Sequence, residues 1–262
     1  MRQFSADYLA DTRRGMWAGD RSALRALSLP DRERVVDVGA GTGEFTAVLR
    51  EETPAPVVAC DADPDLLAEA GPPALAGDAE RLPFRDDAAD LVTCQALLVN
   101  LPDPAVAVRE FAHVSSDLVA AVEPDNAAVA VESTVGGEAA LAASAREAYA
   151  AGVPSDVTLG ADAADVFGDA GLTVEAQATY YHTRVVEPPY SERALTGAKL
   201  KARGTRISEA RATLRAGGMS ASEIDALEAD WKAMGRSAIE QIQRGEYRRS
   251  EVVPFYVTVG RV

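Results

Sequence analysis

Short apolar runs alternate with amphipathic stretches along the first half of the chain. Each apolar run has the length of a strand, and the stretch after it has the apolar spacing of a helix. Strands are predicted over Arg34–Val38, Pro56–Asp61, Ala74–Gly77, Asp90–Gln95 and Asp117–Val122. Helices are predicted from Gly43, from Asp63 with Pro64 in the first helical position, and over Asp103–Val114. Strands that alternate with helices are typical of a parallel sheet.

The second half of the chain shows longer helices and fewer strands. Helices are predicted over Glu138–Ala150, over Ala161–Ala170, over Ser191–Arg203, and from the capping box of Ser220 and Glu223. Strands are predicted over Leu172–Tyr181 and Glu251–Val259. The fold class is therefore expected to be α/β, with a doubly wound, seven-stranded, mostly parallel sheet and helical insertions.

The organisation of the chain points to one domain over residues 1–262, because no internal repeat or low-complexity linker interrupts it. We expect its core over about residues 31–123, 161–181 and 250–262. Residues 1–28 are expected to form a helix. With the insertions at 124–160 and 187–249, this helix would form a cap.

A glycine-rich turn follows the first predicted strand. Val35–Phe45 has the sequence VVDVGAGTGEF, which places glycines where the backbone must turn tightly and approach a ligand. A dinucleotide-binding turn would carry a further glycine at the position of Glu44. The carboxylate of Glu44 is a poor neighbour for a diphosphate at a helix N-terminus. The spacing G-x-G-x-G instead resembles motif I of class I methyltransferases that depend on S-adenosylmethionine (SAM).

Three further segments follow in the same order as in that family. Asp61 ends the second strand, where a carboxylate can accept hydrogen bonds from both hydroxyls of a ribose. Residues 77–84 have the sequence GDAERLPF, and residues 95–104 have the sequence QALLVNLPDP. Together these segments resemble the UbiE-like, or methyltransferase type 11, group.

The resemblance implies SAM as cofactor and a set of cofactor-binding residues. Asp78 would accept from the adenine amino group, and the backbone N–H of Ala79 would donate to a ring nitrogen. The residues implied to bind the cofactor are Asp37, Gly39, Ala40, Gly41, Gly43, Asp61, Ala62, Asp78, Ala79 and Gln95. In the family a helix often covers the cofactor before the first strand, where Tyr8, Arg14 and Trp17 lie; simple packing onto the domain is the alternative.

The acceptor chemistry is less well marked. Asn100 stands where many relatives have a histidine, His113 stands where an arginine is usual, and Ser115-Ser116 replaces a PGG turn. No catalytic residue is predicted; the candidates near strand tips are Glu123, Asn126, Tyr181 and His182. The segment Glu187–Tyr190, EPPY, is similar to a box that holds a flipped base, but it follows the sixth strand and is expected to redirect the chain.

Composition and charge favour some partners, sources and cellular compartments over others. The net charge of −15 argues against binding to a phosphate backbone, so nucleic acid is not expected as a partner. Only three of the 26 basic residues are lysines, which is typical of a halophilic archaeon. Two cysteines inside predicted strands suggest a reducing cytoplasm, and the scarcity of histidine and cysteine predicts no metal site. No targeting pattern and no apolar run of about 18 residues is present, so a membrane span is not expected.

These features predict a cytoplasmic methyltransferase with a small-molecule acceptor. The segment 191–216 contains seven basic and two acidic residues, a balance of +5 in an acidic chain. An anionic acceptor facing this segment is one hypothesis, and a solvated helix paired with the acidic body is the other. The alternative function is methylation of RNA or protein with 191–216 as docking surface. A SAM-binding module without catalysis is a third reading.

Overall fold

A computed structural model describes Leu9 and residues 12–262, which divide into two compact units. Unit 1 comprises the described residues up to Asp125, Leu159–Tyr180 and Phe255–Val262. Unit 2 comprises Asn126–Thr158 and Tyr181–Pro254. The boundaries of unit 2 lie close to those of the predicted insertions 124–160 and 187–249. The expectation of one domain with a cap stays a prediction.

The described residues form eight strands. They are β1 (Val35–Val38), β2 (Val57–Asp61), β3 (Ala74–Ala76), β4 (Ala89–Gln95), β5 (Ser115–Pro124), β6 (Ala130–Ser133), β7 (Thr173–Val186) and β8 (Arg249–Arg261). In unit 1 the spatial order is β3-β2-β1-β4-β5-β8, and β7 also pairs with β8. β1 to β5 are parallel, whereas β8 is antiparallel to β5. This is the predicted doubly wound arrangement. The seven predicted strands correspond to β1 to β5, β7 and β8.

Of the nine α-helices that the described residues form after residue 40, seven lie at predicted places, and those over Thr205–Glu209 and Arg211–Ala216 were not predicted. The α-helices after residue 40 are α1 (Glu44–Glu52), α2 (Pro64–Ala70), α3 (Pro104–Val114), α4 (Glu138–Gly152), α5 (Ala163–Asp169), α6 (Glu192–Arg203), α7 (Thr205–Glu209), α8 (Arg211–Ala216) and α9 (Ala221–Gln243). Short 3-10 helices cover Ser22–Leu27, Leu29–Asp31, Leu98–Asn100 and Gly160–Asp162. The helix expected over residues 1–28 lies partly outside the described residues. In the described part, Gly15 with φ +72° belongs to a turn, so no single helix runs through it.

Burial explains the apolar runs of the first half. All four residues of β1 are buried, because a parallel strand with helices on both faces has no side open to water. α3 contributes Ala107, Val108, Phe111 and Val114, which recur at helical spacing and pack into the main core of unit 1. Its first turn is ordered by the side chain of Asp103, which accepts from the N–H of Ala105.

Unit 2 is built around the long helix α9. The predicted capping box at Ser220 and Glu223 is present, and both halves of it are formed. α9 approaches α6 so closely that a Cβ on Gly235 would lie 2.3 Å from the backbone nitrogen of Ala202. β6 pairs antiparallel with Arg249–Val252 of β8 within this unit. This eighth strand was not predicted, because its four residues are exposed or half-buried and show no apolar face.

No helix among the described residues is both long enough and apolar enough to cross a membrane.

Candidate functional site

The glycine turn after β1 has the backbone that only glycine adopts freely. Gly39, Gly41 and Gly43 have φ values of +68°, +56° and +87°, in the left-handed region. At Gly43 a Cβ would also lie 2.6 Å from the Cα of Ala70, the last residue of α2. The turn therefore brings the start of α1 against the end of α2, and a larger residue at position 43 would push them apart.

Asp61 ties the tip of β2 to this turn. β1 and β2 are paired in parallel up to Val38 and Cys60, so Asp61 lies beside the residues that leave β1. Its Oδ2 accepts the N–H of Gly41 at 2.7 Å, and its Oδ1 accepts the N–H of Asp63 at 2.9 Å. A carboxylate can accept about four hydrogen bonds, so two more remain available to a ligand. Two is the number that the hydroxyls of a ribose would use.

Asp63 and Asp61 have different tasks. Asp63 is the N-cap of α2, where its Oδ1 accepts from the N–H groups of Asp65 at 3.0 Å and Leu66 at 3.4 Å. The exposed Ala62 lies between the two aspartates. The capping of α2 thus depends on Asp63, while the carboxylate of Asp61 orders the glycine turn.

Asp78 and Ala79 follow β3 at the same edge of the sheet. The N–H of Gly77 donates to the carbonyl of Asp61 at 3.0 Å, which brings this loop next to the tip of β2. Asp78 is exposed, and its Oδ1 accepts the N–H of Glu80 at 3.0 Å, whereas Ala79 is buried. The loop therefore presents a carboxylate to solvent one strand away from Asp61.

Asp37 is a buried carboxyl inside β1. Its Oδ2 accepts the hydroxyl of Thr46 on α1 at 2.5 Å. Burial raises the pKa of Asp37 from 3.8 to about 7, and the hydroxyl of Thr46 and the cation of Arg13 limit that rise. Asp37 thus joins β1 to α1 below the glycine turn, and it changes charge near neutral pH.

Gln95 ends β4 and is held by the N-terminal segment. Its Oε1 accepts the indole N–H of Trp17 at 2.8 Å, and its carbonyl accepts from Arg13 at 3.2 Å. Trp17 is itself buried and stacks on Tyr180 with 4.2 Å between ring centroids. Trp17 therefore packs onto the domain, which is the alternative that the sequence left open. Tyr8 lies outside the described residues. Tyr180 had no signal in the sequence beyond its place in a predicted strand.

The predicted cofactor-binding residues come together at the carboxyl ends of β1 to β4, except Asp37, which lies within β1. This edge is where α/β sheets bind their ligands. Of the four candidates for acceptor chemistry, Glu123 lies in unit 1 and is fully buried. Asn126, Tyr181 and His182 belong to unit 2, where Asn126 donates to the carbonyl of Val157 at 2.6 Å. The structure does not single out a catalytic base among them.

The EPPY segment is engaged inside unit 2. It connects β7 to α6, as the sequence suggested. Glu187 pairs with Arg248 at 3.1 Å, and the hydroxyl of Tyr190 donates to the carbonyl of Tyr247 at 3.0 Å. These contacts give the segment a structural role within that unit.

The described part of the chain contains no group of three or more His, Cys, Asp or Glu side chains arranged for a metal ion. Cys60 and Cys94 are free and buried, and burial raises the pKa of both thiols, that of Cys60 to about 12. Both thiols are therefore protonated at neutral pH and have low reactivity.

Comparison with known proteins gives a family match over the same part of the chain. Residues 36–117 match the family described as a methyltransferase domain. Demethylmenaquinone methyltransferase of Mycolicibacterium paratuberculosis is 40% identical over 99 residues, which cover 36% of this chain and 43% of that protein. The enzyme of the same name from Corynebacterium kroppenstedtii is 43% identical over 98 residues, 36% of this chain and 42% of that protein. The match thus spans less than half of these relatives.

Solved structures share the fold. A protein of Bacillus halodurans C-125, described as a methyltransferase, has a TM-score of 0.52 at 15% identity, over 92% of this chain and 99% of its own. The YcgJ protein of Bacillus subtilis has a TM-score of 0.50 at 17% identity, over 92% and 98% of the two chains. At these identities the likeness shows the α/β fold alone. The family match over residues 36–117 implies SAM as the cofactor of this part of the chain.

Proposed function

We propose that the whole chain is a SAM-dependent methyltransferase, because residues 36–117 match a methyltransferase domain and most of the predicted cofactor-binding residues gather at the carboxyl edge of the sheet. The observation that carries the proposal is the position of Asp61. Its carboxylate orders the glycine turn through Gly41 and keeps the capacity to accept two further hydrogen bonds. A ribose at the turn would use both, and the adenine would lie towards Asp78 and Ala79 on the next strand.

The predicted residues would divide the cofactor between them. The glycines at 39, 41 and 43 let the backbone approach it closely, and Ala40, Ala62 and Ala79 present small side chains and backbone groups there. Asp37 supports the turn from below through Thr46, and Gln95 faces the same edge from β4. This assignment of roles follows the resemblance and the strand order, and binding measurements on single variants test it.

Methyl transfer would depend more on alignment of the acceptor with SAM than on general acid–base catalysis. When bound, SAM supplies a methyl group already activated by its sulfonium centre. The protein's task is to hold an acceptor in line with the carbon–sulfur bond, and alignment of this kind supplies much of the rate. A general base is needed only for an acceptor that must lose a proton. We therefore propose in-line displacement and assign no base.

We propose a small molecule as the acceptor. The curated relatives are named for demethylmenaquinone, which is a small molecule, and this favours that class over RNA or protein. The finer prediction is an anionic acceptor. It is supported by four exposed cations in the segment 191–216, namely Lys199, Arg203, Arg206 and Arg215. Two others are engaged within unit 2, since Lys201 pairs with Glu138 and Arg211 pairs with Asp225.

Charge variants test the anionic acceptor. Arg203→Gln combined with Arg206→Gln should raise the acceptor KM and reduce its salt dependence, while SAM affinity stays the same. Arg85→Gln combined with Arg236→Gln removes the same charge from exposed positions elsewhere and should leave KM unchanged. Equal KM values in the two double variants would mean that Arg203 and Arg206 do not bind the acceptor.

The cytoplasmic location and the halophilic origin remain part of the proposal. Two free, buried thiols fit a reducing compartment, and the charge of −15 with three lysines fits a protein that is soluble in brine. Measuring the folded fraction at about 0.1 and 3 M KCl tests the second point. A halophilic protein should gain stability at the higher concentration.

The experiment for the function uses SAM labelled in its methyl group. The purified protein and the labelled cofactor are added to a cell extract that has been depleted of its own SAM. The products are then separated into small molecules and polymers, with an Asp61→Ala sample as the matched control. Label in a small-molecule fraction that depends on Asp61 supports the proposal. Label confined to RNA or protein would contradict the acceptor class, and no label in any fraction would contradict the activity.

A further inference from the structure

Glu123 is a buried carboxylate that the proposed cofactor contacts do not use. It lies near the end of β5, directly beside the turn that follows β4. Its Oε1 accepts the N–H groups of Leu97 at 3.0 Å and Leu98 at 2.9 Å, and its Oε2 accepts the N–H of Val99 at 3.2 Å. One side chain therefore binds three consecutive backbone donors of a turn that is 24 to 26 residues away in the chain.

The turn needs such an anchor, because its first residue is strained. Ala96 has a φ of +50°, in the left-handed region that disfavours any residue with a Cβ. Its N–H donates to the carbonyl of Val122 at 2.9 Å, and its carbonyl accepts the side-chain amide of Asn100 at 2.8 Å. A strained turn persists only where its surroundings fix it, and Glu123 contributes to that fixation through three hydrogen bonds.

The anchored turn is in contact with the glycine turn. The side chain of Leu97 lies against Gly39, so that a Cβ on Gly39 would be 2.8 Å from its Cδ1. The turn also begins directly after Gln95, whose side chain is bound by Trp17. A shift of the turn would therefore move two of the residues that are predicted to bind the cofactor.

We propose that Glu123 is a positioning residue for the cofactor site. It fixes the turn at Leu97–Val99 and, through Leu97, the space above Gly39. This role rests on the proposed function, since it concerns the binding of SAM. Glu123 is not placed as a base, because it is fully buried and both of its oxygens are occupied by backbone N–H groups. Burial raises its pKa to about 7, and the three N–H groups oppose that rise.

The test is made at a pH above 7, where Glu123 is ionised, and uses Glu123→Gln, which keeps the size of the side chain but removes its charge and one acceptor oxygen. Amide exchange by NMR, without any ligand, should become roughly tenfold or more faster at Leu97, Leu98 or Val99. The amide of Ala96, which is bound to Val122 instead, should change less. A variant with Phe111→Leu in the core of unit 1 serves as the control for general loss of stability.

Cofactor affinity is the second readout. Glu123→Gln should weaken binding of S-adenosylhomocysteine, the demethylated product of SAM, roughly tenfold, the change expected from loss of one charged hydrogen bond. Phe111→Leu should bind it as the wild type does, even where the two variants have lost equal thermal stability. Equal affinities in wild type and Glu123→Gln, or equal losses in both variants, would overturn the positioning role.

If Glu123→Gln does not fold, the wild type is used for the test instead. Addition of S-adenosylhomocysteine should then slow amide exchange at Leu97, Leu98 and Val99 in the wild type. Binding without any slowing there would overturn the role of Glu123 and leave the proposed function intact. No binding to the wild type at all would overturn both.

Discussion

The carboxylate of Asp61 accepts the backbone N–H of Gly41 at 2.7 Å, which connects the tip of β2 to the glycine turn after β1. The contact fixes the backbone of the turn at Gly41. Because Asp61 retains capacity for two more hydrogen bonds, the same side chain can hold the turn and a ribose at once. In the proposed complex, this carboxylate would act on affinity in two ways, by direct contact and by ordering the backbone.

Replacement of Asp61 should weaken the cofactor complex. Asp61→Ala would remove the two proposed ribose contacts and would free the N–H of Gly41, and each charge-assisted bond contributes about 1.5–3 kcal/mol. Calorimetry should show affinity for S-adenosylhomocysteine reduced at least tenfold. Asp63→Ala is the matched control: loss of its N-cap should cost about 1 kcal/mol of stability and leave affinity nearly unchanged. The same affinity in both variants would place the ribose elsewhere.

Asp78 is predicted to recognise the adenine. It is exposed in the loop after β3, so Asp78→Ala should fold normally and lose about tenfold in affinity. Asp86→Ala removes an exposed carboxylate from the same loop region and should bind as the wild type does. An unchanged Asp78→Ala variant would mean that the adenine edge is satisfied by backbone groups alone.

Gly43 should not tolerate a side chain. Gly43→Ala combines a φ of +87° with a Cβ that would lie 2.6 Å from the Cα of Ala70. The left-handed strain costs about 1–2 kcal/mol, and displacement of packed backbone adds about 1–3 kcal/mol. Thermal unfolding should therefore show a large loss of stability. At Gly136 a Cβ meets nothing within 4 Å, so Gly136→Ala should be close to neutral, and similar melting temperatures would contradict the geometry.

The stability of the protein should depend on the charge state of Asp37. Its pKa is raised by folding, from 3.8 to about 7, so the folded state takes up a proton in this range. The stability that this proton gives is complete below about pH 4 and is lost as the pH rises towards 7. Urea unfolding of wild type and Asp37→Asn between pH 4.5 and 8 measures it. The wild type should lose stability relative to the variant as pH rises, and parallel curves would show that Asp37 does not titrate this way.

The pattern of the sequence was sufficient for the sheet of unit 1. Fully buried parallel strands such as β1 leave continuous apolar runs, and capping residues such as Asp63 and Ser220 mark helix starts directly in the sequence. β6 could not be found in this way, because its four residues show no apolar face and it forms by pairing with Arg249–Val252. β7 runs five residues past its predicted end at Tyr181 for a related reason: its last residues alternate between exposed and half-buried positions.

The candidate site could be predicted at positions where the local structure requires one particular type of residue. The left-handed turns at Gly39, Gly41 and Gly43 and the carboxylate at Asp61 were inferred from residue type and position, although their cofactor roles remain predictions. The task of Glu123 was not predictable. The sequence indicated Glu123 only as a candidate base. The folded chain shows that its side chain binds the N–H groups of a distant turn. Long-range contacts of this kind leave no local pattern.

The central claim is that the glycine turn and Asp61 bind SAM and not a dinucleotide. Isothermal titration of the purified chain with S-adenosylhomocysteine, SAM and NAD⁺ tests it most directly. The account predicts binding of the first two and none of NAD⁺, because Glu44 replaces the glycine that a diphosphate at the start of α1 would need. NAD⁺ binding with an affinity comparable to that of SAM would contradict it.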